Sequence, residues 1–427
     1  NKKNSIIIIE LKQWTHADAV PGKDGVVSTV TGKALREVTH PSYQAWSYAS
    51  LIDSYNQEVY DRNVGLHPCA FLHNYELSDS DPINSEQYRD YINAAPMFGA
   101  KDFEKLRDFI KRFVTEGDDK EGLYIIENGK IKPSKMLQDS FSSVLKGNKE
   151  FVLIDDQKII FEEALRIGVN AHLHNEKSVL IVEGGPGTGK SVLAINLLKQ
   201  FLNRSFNSFY VTKNSAPREV FKAKLKIDKM SGLNNLFKGS GSFYDCESNS
   251  FDVLIVDEAH RLNKKSGLFS NLGENQIKEI INSSKFSIFF IDENQRVTLK
   301  DNGSIDEIKK YARYYNTGIH KMKLKSQFRC DGSDGYLAWL DNVLEIRETA
   351  NFDLDNKYDF KVFDDPNDLR QAIVEKNKIN NKSRLVAGYC WDWISEGKNK
   401  TDIYDITIPE YNFGMSWNLG NSSTWAI

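Results

Sequence analysis

Four short apolar runs mark the middle of the chain: Val179-Leu180-Ile181-Val182, Phe209-Tyr210-Val211, Val253-Leu254-Ile255-Val256 and Ile288-Phe289-Phe290-Ile291. Between them lie segments with apolar residues at helical spacing, such as Val192-Leu193-Ala194-Ile195-Asn196-Leu197-Leu198. Alternation of buried strand and helix predicts a parallel sheet covered on both faces over residues 151–330. Each run carries polar residues at its C-terminal end, where ligands bind in open α/β sheets.

The first 75 residues predict a smaller α/β unit. Ile6-Ile7-Ile8-Ile9 is a buried strand. A Gly-rich hairpin region follows, then a helix from about Ser42 to Tyr60, then a strand near Cys69-Ala70-Phe71-Leu72. Residues 76–150 are polar and mixed, with an amphipathic helix near Phe103–Phe113, and are expected to connect the two α/β units. Residues 228–250 are rich in Gly, Ser and Asn and predict a surface insertion. In residues 331–427, Arg384-Leu385-Val386-Ala387-Gly388-Tyr389 predicts a strand opening a further α/β domain that the chain does not complete. The chain opens almost inside a strand, without Met, and ends at Trp425-Ala426-Ile427, as expected of a piece of a longer protein.

The length of 427 residues allows two or three domains. A net charge of −3 provides no global basic field, so any nucleic-acid contact has to be local. The four cysteines, Cys69, Cys246, Cys330 and Cys390, form no C-x-x-C pair, which argues against a zinc knuckle or a disulfide framework. No apolar run approaches membrane-spanning length and no signal peptide is present, so a cytoplasmic location is the expectation.

The chemistry concentrates at the strand ends. Gly184-Gly185-Pro186-Gly187-Thr188-Gly189-Lys190-Ser191 matches G-x-x-x-x-G-K-[ST] in full, with a strand before it and a helix after it. Backbone N–H groups of Gly185, Pro186's successors Gly187, Thr188 and Gly189, and the helix N-terminus then face phosphate oxygens. Lys190 is placed to reach the β- and γ-phosphates of ATP, and the Ser191 hydroxyl to ligate Mg²⁺. The Val253–Val256 run ends in Asp257-Glu258-Ala259-His260. Asp257 fits the acid that helps hold Mg²⁺, and Glu258 fits the base that polarises the attacking water. Asp292-Glu293-Asn294-Gln295 puts an acid and an amide at the tip of the next strand, where Gln295 could sense the γ-phosphate or the water. Arg329 could neutralise charge developing on the γ-phosphoryl group. Gln157, opening an amphipathic helix, could read adenine with an amide that both donates and accepts; a plain helix-start polar residue is the alternative.

Gln157, the P-loop, Val211-Thr212-Lys213-Asn214, the Asp-Glu-Ala-His box, Asp292–Gln295 and Gln327-Phe328-Arg329 stand in the order of superfamily 1 helicase motifs. From Phe151 onward the chain resembles the Schlafen group 3-type DNA/RNA helicase domain family of bacteria. The resemblance implies that Val211–Asn214 contacts single-stranded nucleic acid and that Arg329 is an arginine finger. The later motifs of a second RecA-like domain, including a second arginine, are not visible before Ile427.

In Ile9-Glu10-Leu11-Lys12, strand periodicity puts Glu10 and Lys12 on one face. A buried acid and lysine side by side are costly unless they serve a purpose, and a metal would ease the cost, with Glu10 as oxygen ligand. Gln44 and Tyr48 follow on one helix face. E-x-K followed by Q-x-x-x-Y resembles the RecB-like branch of the PD-(D/E)XK nucleases. That resemblance implies a catalytic site of Glu10, Lys12 and Gln44 using Mg²⁺ or Mn²⁺. The family also has an acid on the preceding strand; only five residues precede Ile6, and none is acidic. His40 and Trp14 are read as a helix-start residue and a packing residue.

The expected fold is thus α/β throughout: a PD-(D/E)XK nuclease-like domain over residues 1–75, a connecting region over 76–150, a RecA-like P-loop parallel-sheet domain over 151–330 and the start of a second over 331–427. The expected function is an ATP-dependent motor on nucleic acid, DNA preferred over RNA, fused to a metal-dependent phosphodiesterase. Such a pairing suits bacterial DNA repair, restriction or anti-phage defence. The rival expectation is an ATP-gated switch that controls a partner or a degenerate nuclease fold.

Overall fold

The computed structural model describes residues 5–118, 120–128, 152–214, 218, 235–267, 271–296, 298, 301–325, 334–350, 359–381, 383–388, 390–394 and 403–417. They belong to two compact units, Asn1–Gly332 and Ser333–Ile427.

The first unit begins with β1 (Ser5–Lys12), then the short strands β2 (Asp18–Ala19), β3 (Val26–Thr31) and β4 (Ala34–Thr39), which pair as an antiparallel ribbon. Helix α1 (Pro41–Tyr55) starts where Pro41 presets the first turn and the His40 ring nitrogen Nδ1 accepts the Ser42 N–H at 3.2 Å. The single helix expected to reach Tyr60 is broken. Asn56 leaves helical geometry and its side chain caps a second helix, α2 (Gln57–Asp61), by accepting the Val59 N–H at 3.0 Å. Strand β5 (Gly65–Leu72) then runs parallel to β1, with Glu10 opposite Ala70 and Lys12 opposite Leu72.

Residues expected only to connect complete this N-terminal layer. After α3 (Arg89–Ala94), β6 (Met97–Gly99) adds a third parallel strand beside β5. Helix α4 (Phe103–Phe113) packs Leu106, Phe109 and Ile110 against Cys69 and Phe98. Helix α5 (Glu121–Asn128) sets Ile125 against Val59 and Val64. The resulting sheet, β1-β5-β6, is wholly parallel, with the antiparallel ribbon separate from it.

Helix α6 (Asp156–His174) leads into a six-stranded sheet formed by β7 (Ser178–Gly184), β8 (Ser208–Val211), β9 (Phe237–Lys238), β10 (Phe251–Val256), β11 (Ser284–Ile291) and β12 (Gly318–Leu324). The order is β12-β7-β11-β10-β8-β9, and every neighbouring pair is parallel. Strand periodicity splits each apolar run between the two faces. Leu180, Val182, Ile255, Ile288 and Phe290 pack on α6 and on α7 (Lys190–Asn203). Val179, Ile181, Leu254, Val256, Phe289 and Ile291 pack on α8 (Gln276–Ser283) and α9 (Ile305–Tyr314). All eleven of these side chains are 0% exposed. Full burial of one such side chain stabilises the fold by about 1.5–3 kcal/mol, so this double-faced core anchors the strand ends that carry the chemistry.

The two outer strands β9 and β12 were not anticipated. Strand β12 alternates polar and apolar residues and is half-exposed, so it lacks the apolar run of a central strand. The expected surface insertion over 228–250 is corrected in its described part: Phe237 in β9 and Phe243 in the following turn are buried in the two cores.

The second unit contains α10 (Asp334–Val343), α11 (Pro366–Asn380) and an antiparallel pair, β13 (Ile406–Ile408) and β14 (Phe413–Met415). The strand expected at 384–389 does not form in its described residues. Residues 383–388 are irregular and Val386 is 87% exposed, with no strand among the described residues pairing with them.

Candidate nucleotide-binding site

Strand β7 ends at Gly184, and α7 begins at Lys190, so the glycine loop bridges a buried strand and a helix N-terminus. Gly187 and Gly189 adopt φ of +75° and +84°, where side chains are disfavoured. A Cβ on Gly189 would also lie 2.2 Å from the amide nitrogen of Gln157. Thr188 donates its hydroxyl to the Gly185 carbonyl at 3.0 Å. The Lys190 ammonium donates to the carbonyls of Gly184 and Gly185 at 2.7 and 2.8 Å. Its partners are neutral, so an anionic phosphate oxygen can replace them with a stronger, charge-assisted bond.

At the tip of β10, Asp257 is 4% exposed and accepts the Ser191 hydroxyl at 2.6 Å. Its other oxygen accepts the Glu258 N–H at 3.0 Å. A serine hydroxyl and a carboxylate oxygen brought together from two elements are the hard donors that suit Mg²⁺. Tyr210, one residue before the end of β8, donates its hydroxyl to the same Asp257 oxygen. Burial and the Asp257 carboxylate push the Tyr210 hydroxyl far above its ordinary value, so it remains a donor.

Glu258 sits at φ +54°, a left-handed conformation that turns its side chain out of the strand line. Burial, and after it the Asp257 charge, push its carboxyl above the ordinary value, while Lys190 opposes the shift. His260 is buried, and burial lowers it to about 4, so it is neutral. Its Nδ1 faces the Asp292 N–H at 3.4 Å, and its Nε2 lies 3.1 Å from a Glu258 oxygen. The neutral ring with Nδ1 accepting leaves Nε2 to donate to Glu258.

The other expected residues, where described, have partners within the chain. The Gln157 amide donates to the Thr188 carbonyl at 2.9 Å and accepts the Ile154 N–H at 3.2 Å, so both its functions are engaged by the chain itself. Gln157 braces the P-loop. Gln295 donates to its neighbour Asp292 at 2.9 Å. Lys213 is held by Asn263 and Asp301, both at 2.9 Å. Gln327, Phe328 and Arg329 lie outside the described residues. Tyr210 and His260 were in view in the sequence without an assigned role. The signal was a tyrosine inside an otherwise apolar buried strand, whose hydroxyl requires a partner.

In the N-terminal unit the structure brings Glu10, Lys12, Gln44 and Tyr48 together. Lys12 contacts Glu10 at 2.8 Å and donates to the Gln44 carbonyl oxygen at 2.7 Å. The Gln44 amide lies 2.8 Å from the Tyr48 hydroxyl and 2.9 Å from Asp155. Glu10 is thus neutralised by Lys12 rather than joined to a set of metal-ligating side chains. Among the described residues, no group of three or more His, Cys, Asp or Glu is placed to hold a metal ion. His40 bonds the Ile83 carbonyl at 2.9 Å and stacks on Tyr88, a structural role, and Trp14 lies under the Lys12 ammonium at 5.0 Å.

A profile of the Schlafen group 3, DNA/RNA helicase domain matches residues 177–427, more than half of the chain. The chain belongs to this family. The match begins just before β7 and includes the P-loop, Asp257 and Glu258; it leaves the N-terminal layer of β1, β5 and β6 outside. The chain is also 26% identical over 277 residues to the uncharacterized protein YPL245W of Saccharomyces cerevisiae, covering 56% of this chain and 60% of that protein. It therefore spans less than two thirds of that curated relative. Among solved structures, Pif1 helicase from Candida albicans matches at a TM-score of 0.28 and 14% identity, over 55% of each chain. Domain III of the Thermotoga maritima replication initiation protein DnaA matches at 0.23 and 18% identity, over 53% of this chain and 86% of that one. Residues 177–427 are a helicase-type domain. No helix among the described residues is long and apolar enough to cross a membrane.

Proposed function

We propose that the protein is an ATP-dependent motor on nucleic acid, with DNA as the preferred track. The observation that carries the reading is the 2.6 Å contact between Ser191 and Asp257 beside a full P-loop, within a helicase-family domain. The loop N–H groups and Lys190 hold the phosphates. Ser191 and Asp257 would hold Mg²⁺, which neutralises phosphate charge when bound. Glu258 accepts the proton of the attacking water, with His260 orienting its carboxylate. Arg329 would act on charge that develops at the γ-phosphoryl group, an effect worth about 10³–10⁵ in rate for arginine fingers.

The test is phosphate release by the protein with and without single-stranded DNA or RNA, with Lys190→Ala in parallel. Stimulated release that disappears in Lys190→Ala supports a motor. Release indifferent to either nucleic acid points to the ATP-gated switch instead. No release by the unsubstituted protein rejects the enzyme.

A second reading, a divalent-metal-dependent nuclease at Glu10 and Lys12, is favoured by one observation: Lys12 donates to Gln44, whose amide in turn reaches Tyr48. Cleavage of labelled DNA with Mg²⁺ or Mn²⁺, lost in Lys12→Ala, tests it. Its use in DNA repair, restriction or anti-phage defence rests on the resemblance of the motifs.

A further inference from the structure

The N-terminal polar cluster does not end within its own layer. Its last member is Asp155, which immediately precedes α6 and stands two residues before the Gln157 that braces the P-loop. Asp155 is in a conformation seldom adopted by a residue with a side chain, φ +43° and ψ −116°. An aspartate at this position ordinarily turns its carboxylate back to cap its own helix. Here the side chain makes no such cap. Its carboxylate is drawn the other way: the Gln44 amide donates at 2.9 Å, and the Tyr48 hydroxyl lies 3.1 and 3.0 Å from its two oxygens. The Asp155 carbonyl still accepts the N–H groups of Lys158 and Ile159 at 3.0 and 3.2 Å, so the strained residue also starts the helix.

The same segment is gripped on both sides of Asp155. Tyr43 donates to the Leu153 carbonyl at 2.5 Å, and Lys158 pairs with Asp24 at 2.8 Å. From there the path to the nucleotide site is short. Gln157 holds Ile154 with one end of its amide and the Thr188 carbonyl with the other. Thr188 and Gly189 are the residues whose N–H groups would face phosphate.

We infer that Asp155 is a positioning residue through which the N-terminal polar cluster sets the nucleotide affinity of the P-loop. The inference rests on the P-loop being the nucleotide site. Gln44 and Tyr48 hold the strained turn, the turn places Gln157, and Gln157 holds the loop in a binding-ready shape. Linkage makes the effect reciprocal: nucleotide in the loop stabilises the cluster, and whatever occupies the cluster alters nucleotide binding.

The experiment is calorimetric titration of the protein with ADP and Mg²⁺. Three variants cut the tie without touching the loop: Tyr48→Phe removes one hydroxyl, Gln44→Ala removes the amide, and Asp155→Gly keeps the turn conformation accessible while removing the carboxylate. Each is expected to raise Kd about fivefold or more, the low end of coupling between linked sites. Gln44→Ala combined with Gln157→Ala is expected to raise Kd by less than the product of the two single effects, because both act on one path. A purely structural role would lower the melting temperature and leave the Kd of the folded protein unchanged. Unchanged or lowered Kd in Tyr48→Phe and Asp155→Gly, or simple multiplication in the double variant, overturns the inference. Absence of ADP binding by the unsubstituted protein, or binding indifferent to Lys190→Ala, instead rejects the nucleotide-site reading itself.

Discussion

The P-loop sheet and the N-terminal sheet each end a parallel strand with acid and lysine chemistry, and they dispose of the charges differently. In the P-loop domain, Lys190 bonds backbone carbonyls and Asp257 bonds hydroxyls. The cation and the anion both keep neutral partners, and both remain disposable toward a charged ligand. In the N-terminal layer, Glu10 and Lys12 stand two residues apart on one strand and pair with each other at 2.8 Å. Their charges cancel, and the surplus hydrogen bonds run on through Gln44 to Asp155. The first arrangement is suited to binding phosphate and metal. The second is suited to joining two layers of one unit. The difference shows that residue types and spacing describe a possible site, while the partners of each charge decide what it is available for.

The contrast is sharpened most by removing the proposed base. Glu258→Gln is expected to lower ATP turnover by about 10²–10⁴ while ADP affinity stays near that of the unsubstituted protein. A wild-type turnover number in this variant would mean that the base lies elsewhere.

The next largest effect is on stability. Phe289→Ala, in the core between β11 and the helices below it, is expected to cost about 3–5 kcal/mol, read as a lower denaturation midpoint. A shift of only a few tenths would show that the central sheet is not the anchor of the site.

A smaller effect comes from pH. Glu258 has its folded-state carboxyl raised by burial, so turnover is expected to fall on the acid side at a pH above the ordinary 4.5 of a glutamate. His260 shifts the other way, from 6.5 to about 4. Between those values the unfolded chain binds the proton and the native one does not, so stability is lost as pH falls from 6.5 toward 4. Denaturation of His260→Asn across that window should show a shallower loss; an equal slope would remove His260 as its source.

The smallest effect is expected on the exposed ribbon. Leu35 in β4 is 70% exposed, and Leu35→Ala should change stability by no more than about 0.5 kcal/mol. A loss comparable to that of Phe289→Ala would show that this face is covered in the working protein.

Local, contiguous patterns were legible before any fold was known. The glycine loop, the apolar run before Asp257-Glu258 and the run before Asp292 are each a strand with its own terminus, and the geometry their chemistry needs is set within a few residues. That is why Lys190, Ser191, Asp257 and Glu258 could be proposed as site residues from the chain alone, and why the six-stranded sheet had its four central strands anticipated. The outer strands were not, because β12 alternates in polarity and β9 has only two residues. The helix expected to reach Tyr60 hid its break for a similar reason: Asn56 is an ordinary helix residue until its side chain finds Val59.

The amino-acid sequence by itself determined the glycine loop, the carboxylates at the strand ends and the parallel sheet that displays them, since helix and strand periods and a glycine-bearing turn are properties of neighbouring residues. Tertiary structure alone decided that Tyr210 donates to Asp257, that Gln157 braces Thr188 and that Asp155 is held by Gln44 and Tyr48. Those partners are separated by 47, 31, 111 and 107 positions, for pairs Tyr210–Asp257, Gln157–Thr188, Gln44–Asp155 and Tyr48–Asp155. A hydrogen bond across such a separation depends on where two buried elements come to rest, and that is set by the packing of the whole unit.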